Sequence, residues 1–142
     1  IFQGYNLIPE LTALENVELP LIYQGIGPGK RQELAQRALE RVGLGSRGGH
    51  RPSEMSGGQQ QRVAIARAIS TTPPIIMADE PTGALDSRTG LEVLAFLQKL
   101  NREGTTVILI THDNGIAATA RRCVRLTDGR IVEDQVQEVD WL

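Results

Sequence analysis

Residues 73–86 read Pro73-Pro74-Ile75-Ile76-Met77-Ala78-Asp79-Glu80-Pro81-Thr82-Gly83-Ala84-Leu85-Asp86. An apolar run opens after two prolines and closes on two adjacent acids. Its length and turn-rich boundaries suit a strand covered on both faces, as in a parallel sheet. The later run Thr105-Thr106-Val107-Ile108-Leu109-Ile110-Thr111 begins after Gly104 and ends at His112, and it reads as a second strand of the same buried kind. Between them Val93, Leu94, Leu97 and Leu100 recur at helical spacing, predicting a helix from about Ser87 to Asn101. Strand, helix, strand is the unit of an α/β sheet with crossovers.

Working upstream, Met55-Ser56-Gly57-Gly58-Gln59-Gln60-Gln61 precedes RVAIARAI (62–69). Val63, Ala64, Ile65, Ala66, Ala68 and Ile69 leave almost no polar face, so this helix is buried nearly all round. Two glycines at its start are costly in backbone entropy, which implies a need for bare backbone there. Residues 45–54 read as a loop. Leu34, Ala35, Ala38, Leu39 and Val42 stripe a helix that starts at Pro28 and stops at Gly43. Thr12 with Glu15 has capping-box spacing, predicting a helix that is interrupted or ended near Pro20. Downstream, the pattern predicts a short helix from Ile116 to Arg121, then VRLTD, a turn at Asp128-Gly129, and RIVED. No internal repeat is visible.

The chain has 142 residues, 40% hydrophobic and 23% charged, with a net charge of -2. That is the composition of one globular domain with a real core. The slight acidity and the lack of basic runs with stacking aromatics give no reason to expect a nucleic-acid partner. No apolar run approaches the roughly 20 residues of a membrane-spanning helix, and no leader pattern opens the chain. Cys123 is the one cysteine. It predicts no internal disulfide and no zinc knuckle, a packing role, and a reducing compartment.

In a parallel sheet ligands gather at the carboxyl ends of the strands, and here those ends carry Asp79-Glu80 and Thr111-His112. Together with MSGGQ (55–59) and GALD (83–86), these residues resemble the ATP-binding subunits of ABC transporters. MSGGQ stands where that family has its LSGGQ signature, IIMADEP (75–81) is similar to its Walker B strand, and GALD to its D-loop. His112 corresponds to the H-loop residue and Gln3 to the Q-loop glutamine, all in the family's order. LTALENVELPL (11–21) with DEPTGALD looks most like the macrolide-export and lipoprotein-release group.

The resemblance implies an α/β fold of the P-loop NTPase-like ABC ATPase type, with a parallel core sheet and a helical subdomain. It covers 1–142 as a partial ATPase domain: 4–54 mainly helical subdomain, 55–135 signature helix and carboxyl-terminal part of the core, 136–142 tail. It implies ATP and Mg2+ as cofactors. Asp79 and Gln3 would hold the metal sphere, Glu80 would be the general base, and His112 would meet the γ-phosphate, with Gln3 also touching the attacking water. Ser56, Gly57, Gly58 and Gln59 would face ATP bound to a second ABC ATPase protomer in a head-to-tail dimer, because a helix amino end is an anion site. Asp86 would couple the two sites. The other implied partner is an integral membrane permease, and the implied location is cytoplasmic, at the inner face of the cell membrane.

The sequence departs from the family in one respect that matters. The nearest match to a Walker A loop, Gly25-Ile26-Gly27-Pro28-Gly29-Lys30, has Gln24 at the first glycine position and Arg31 after the lysine. The chain therefore reads as amino-terminally truncated, beginning inside a structural element. Two consequences are expected: residues 1–142 alone bind and hydrolyse ATP poorly, and an uncovered sheet edge promotes rearranged association. The competing readings are a soluble ABC-type ATPase acting on ribosomes or nucleic acid, and a non-catalytic regulatory fragment.

Overall fold

In the computed structural model, which describes residues 1–139 and 141–142, the two apolar runs form strands β1 (Ile75–Asp79) and β2 (Thr106–Ile110). They pair in parallel, with Ile75 opposite Thr106 and Asp79 opposite Ile110. Helix α4 (Ser87–Arg102) is the crossover between them. On the far side of β1, Phe2 makes a parallel bridge to Asp79, and the Asp79 amide donates to the Ile1 carbonyl at 2.9 Å. The predicted parallel core is thus present.

Four further helices surround this unit: α1 (Ala13–Tyr23), α2 (Pro28–Arg41), α3 (Gly57–Ile69) and α5 (Asn114–Ala117). Two short 3-10 turns, Gly45–Arg47 and Pro52–Glu54, lie inside the predicted loop. The chain finishes in an antiparallel hairpin, β3 (Arg122–Thr127) with β4 (Arg130–Val136), turning at Asp128-Gly129. Both turn residues have positive φ, 49° and 72°, as the tight hairpin geometry demands.

Local chemistry accounts for the helix boundaries. Thr12 and Glu15 form a reciprocal capping box at the start of α1. At the end of α2, Gly43 has a φ of 76°, its amide bonds to Glu40 O at 3.0 Å, and the Leu44 amide bonds to Leu39 O at 2.9 Å. This pair of bonds is a Schellman closure. Gly104 closes α4 in the same way, with φ at 102° and the Thr105 amide on Leu100 O at 3.1 Å.

One buried cluster joins the two halves. Val17, Leu21, Leu39, Val63, Ile65, Ile76, Val93, Leu97 and Leu100 are all fully or almost fully buried within it. Asn16, also buried, pins the turn before α1. Its Oδ1 accepts from Ile8 N at 2.8 Å, and its Nδ2 donates to the carbonyls of Ile8, Leu11 and Thr12.

Three expectations are corrected. Pro20 lies inside α1, which runs on to Tyr23; a proline removes one amide donor, and here the helix continues through its next turn. The short helix comes earlier than predicted because Asp113 caps it, accepting from Ile116 N at 3.0 Å. Finally, neither strand is covered on both faces. Ile75 and Met77 are 52% and 58% exposed, and Ile108 and Ile110 are 43% and 45% exposed. Among the described residues α3 and α4 cover only the opposite face. Cys123 is half-buried in β3.

Asn16→Leu should unfold in urea with a stability loss of about 1–3 kcal/mol, because it leaves the Ile8 amide and three carbonyls without their side-chain partner. Thr12→Ala should cost about 1 kcal/mol, the usual size of a lost cap.

Candidate functional site

The amino end of α3 is built by Ser56. Its Oγ accepts from Gln59 N at 3.2 Å, while Gln59 Oε1 accepts from Ser56 N at 3.0 Å. The Gln59 side chain is thereby committed to the cap. Met55 is buried behind it. The cap leaves the amides of Gly57 and Gly58 with no acceptor among the described residues, as the first turn of a helix does by construction. Ser56 itself is exposed.

The two glycines also serve their own chain. A Cβ at Gly57 would stand 2.6 Å from Tyr5 Oη, and one at Gly58 would run into the Thr89 methyl group. Close packing against the side chains of Tyr5 and Thr89 therefore also favours bare backbone there. Thr89 leads on to Asp86, whose carboxylate caps α4 by accepting from Thr89 N at 3.1 Å and Thr89 Oγ1 at 2.7 Å. Those bonds hold the Asp86 carboxyl below its ordinary value.

At the strand ends, Asp79 is exposed and Glu80 turns back into the site with φ at 45°. A left-handed glutamate is a strained conformation that persists only when its surroundings fix it. Here the Glu80 amide donates to Ile110 O at 2.9 Å and its carbonyl accepts from Gly83 N at 3.1 Å. The carboxylate is gripped from β2's exit. Its Oε1 accepts from His112 N at 2.8 Å and lies 2.5 Å from His112 Nδ1, and its Oε2 accepts from Thr111 Oγ1 at 3.1 Å.

The pair shifts both partners' titrations. Desolvation alone would raise the Glu80 pKa, but the hydrogen bonds from the His112 ring, the His112 amide and Thr111 outweigh it and lower it. The His112 ring is raised from its ordinary 6.5, first by its hydrogen bond to Glu80 and then by the carboxylate's charge. The Glu80 side chain is 21% exposed and that of His112 is 92% exposed.

Gln3 follows the bridge between Phe2 and Asp79 and is exposed; its side chain lies on Gly83, where a Cβ would come within 2.6 Å of Nε2. So the structure gathers Gln3, Asp79, Glu80 and His112 at one end of the sheet. Ser56, Gly57, Gly58, Gln59 and Asp86 form a second group, and no hydrogen bond joins the two groups among the described residues. Residues 83–86 run between them, with Gly83 against Gln3 and Leu85 against Gly57. Thr111, read beside His112 at the strand end, adds its hydroxyl to Glu80. Three contributors went unnoticed in the sequence: Tyr5, Gln61 and Thr89 carry no sequence signal for their contacts. A cavity of about 290 Å³ lies elsewhere, between α4, β2 and the start of β3, with Trp141 in its lining. None of the predicted site residues lines it.

A family model described as ABC transporter matches residues 1–83. The chain is 58% identical over 135 residues to the Macrolide export ATP-binding/permease protein MacB 1/2 of Paracoccus denitrificans, covering 95% of this chain and 20% of that protein. It is 57% identical over 136 residues to the Probable syringafactin export ATP-binding/permease protein SyfD of Pseudomonas syringae pv. syringae, covering 96% of this chain and 21% of that protein. The chain thus spans about a fifth of the length of these curated relatives. Among solved structures it is similar to the dimeric post-hydrolysis state of the ATP-binding cassette MJ0796 bound to ADP and Pi, with a TM-score of 0.80 and 46% identity over 95% of this chain and 61% of that one.

The Glu80–His112 pair makes a signed prediction. The glutamate's part, from a lowered pKa, is present above its ordinary 4.5 and is lost as pH falls through the depressed value. The histidine's part, from a raised pKa, is present below 6.5 and is lost as pH rises through the elevated value. Wild type minus His112→Gln stability, from urea titrations, should therefore be largest between these ordinary values and shrink on both sides. A difference that stays flat with pH would contradict the pairing.

Proposed function

The chain belongs to the ABC transporter ATP-binding family, and from that premise we propose that it is part of an ATPase that drives export or release of a substrate at a bacterial inner membrane. The reading has two such protomers meeting head to tail with ATP and Mg2+ between them, on the cytoplasmic side, coupled to a permease domain or subunit. The relatives' names, which join ATP binding to a permease and to macrolide or syringafactin export, support that coupling. So does the dimeric state of the similar cassette. Among the described residues no helix is long and apolar enough to cross a membrane, so in this reading other parts of the assembly supply the membrane path.

The observation that carries the proposal is that the donor turn makes no hydrogen bond to the acids among the described residues. The Gly57 and Gly58 amides and the exposed Ser56 hydroxyl form a donor set with no acceptor among the described residues, while the acids lie at the strand ends. Two copies related head to tail would let one protomer's donors meet the phosphate held by the other's acids. The residues at the strand end suit Mg2+, which prefers hard oxygens and is usually bound through one or two carboxylates plus water and phosphate. Asp79 offers an exposed carboxylate and Gln3 an amide oxygen one bridge away. When bound, that ion neutralises phosphate charge and orders the phosphate chain.

In this mechanism the remaining work falls to the chain's own groups. Glu80, a carboxylate that is ionised near neutral pH, takes the proton from the attacking water once His112 has released it. Its strained backbone and the bonds to Ile110 and Gly83 hold it at the strand end. His112, exposed and resting on Glu80, turns from the carboxylate to the γ-phosphate and frees the base. Asp86, through Thr89, ties the segment 83–86 to the donor turn. Most of the rate enhancement then comes from positioning and charge complementarity.

Two outcomes test the reading. In the full-length protein, Glu80→Gln should lower ATP turnover by about 100-fold or more, the usual worth of a general base, while nucleotide binding is retained. Residues 1–142 alone, which lack a phosphate-loop lysine motif, should show no turnover above background. Unimpaired hydrolysis by Glu80→Gln, or full activity from residues 1–142, would contradict it.

A further inference from the structure

Gln61 lies on the most buried face of α3, between the donor turn and the apolar residues Val63 to Ala66, and its side chain is fully buried. Its Nε2 donates to two backbone carbonyls on different segments, Pro81 O at 2.5 Å and Phe2 O at 3.2 Å. Phe2 directly precedes Gln3, and Pro81 directly follows Glu80. Among the described residues its Oε1 meets no donor. A buried acceptor without a partner destabilises the fold, and an apolar side chain of similar size would avoid that. The residue is thus poorly explained as packing; what it contributes is its two N–H bonds.

Arg67, two turns further along α3, extends the same grip: its guanidinium donates to Asn6 O at 2.7 Å and Tyr5 O at 3.1 Å. Tyr5 and Asn6 are both left-handed, with φ at 62° and 52°. One helix therefore holds the backbone on both sides of Gln3 and, through Pro81, the residue next to Glu80.

We infer that Gln61 is a positioning residue that fixes Gln3 and Glu80 relative to each other and to the donor turn at the head of α3. Rotation or translation of α3 moves both site segments together, because one amide group is bonded to each. This inference rests on the proposed ATPase reading for its kinetic consequence, and on geometry alone for its structural one.

The test compares Gln61→Met, which keeps the volume and removes the donors, with Val63→Ala, a core truncation on the same helix. Gln61→Leu stands in if the methionine variant does not fold. In the full-length protein Gln61→Met should lower kcat for ATP by about 10- to 100-fold, as a small misplacement of reacting groups does, with KM changed by less than about twofold. In histidine-labelled protein the His112 ring titration, assigned with His112→Gln, should fall back toward its ordinary 6.5 as Glu80 loosens. Wild-type kcat and an unmoved titration would overturn the inference. So would a kcat loss in proportion to lowered thermal stability, matching Val63→Ala. If the wild-type protein proves inactive toward ATP, the functional reading fails, and the His112 titration alone decides the positioning role.

Discussion

The constraint on which everything else depends is the burial of α3 with its amino end left open. Val63, Ile65 and Ala66 are fully buried, which fixes the helix as the rod joining α1 and α2 to the β1–β2 unit. Its first turn must then lie where the core ends. Ser56 and Gln59 satisfy one another across the cap, and the two glycine amides remain available. A helix end with unsatisfied donors and a positive dipole attracts an anion, and nothing anionic from its own chain bonds there among the described residues.

The carboxyl ends of the two strands fix the acids. β1 and β2 run parallel, so their carboxyl ends emerge together, and Glu80 and His112 meet as a direct consequence of the register that sets Asp79 beside Ile110. At Glu80 the backbone gives up a relaxed conformation for a left-handed turn, and it does so at the group assigned to chemistry. Residues 83–86 connect both ends, resting on Gln3 at one side and on Gly57 at the other. A shift at either end is therefore felt at the other through close packing rather than through a long-range field.

Much of this was legible in the sequence. The apolar runs with acids behind them gave the strands, and Ser-Gly-Gly-Gln in front of RVAIARAI gave the capped helix, because capping chemistry is local. Thr12 with Glu15, and Gly43, marked helix ends for the same reason. The sidedness of the strands was not legible: an unbroken apolar run states that both faces prefer burial, but not which neighbours cover them, and Ile75, Met77, Ile108 and Ile110 are open here. Pro20 misled because proline's cost can be met inside a packed helix. Gln61 was hidden among apolar neighbours, since its two acceptors are 59 and 20 residues away and no local pattern encodes such a pairing.

The central claim is that the donor turn of one protomer completes the acid end of another. It is tested most directly by mixing two full-length variants, Ser56→Arg, which blocks the donor turn, and Glu80→Gln, which removes the base. Each alone should be inactive toward ATP. Mixed protomers contain one site with an intact turn and an intact base, so the mixture should regain turnover. If the two variants demonstrably associate and the mixture stays as inactive as either parent, the shared-site account is wrong.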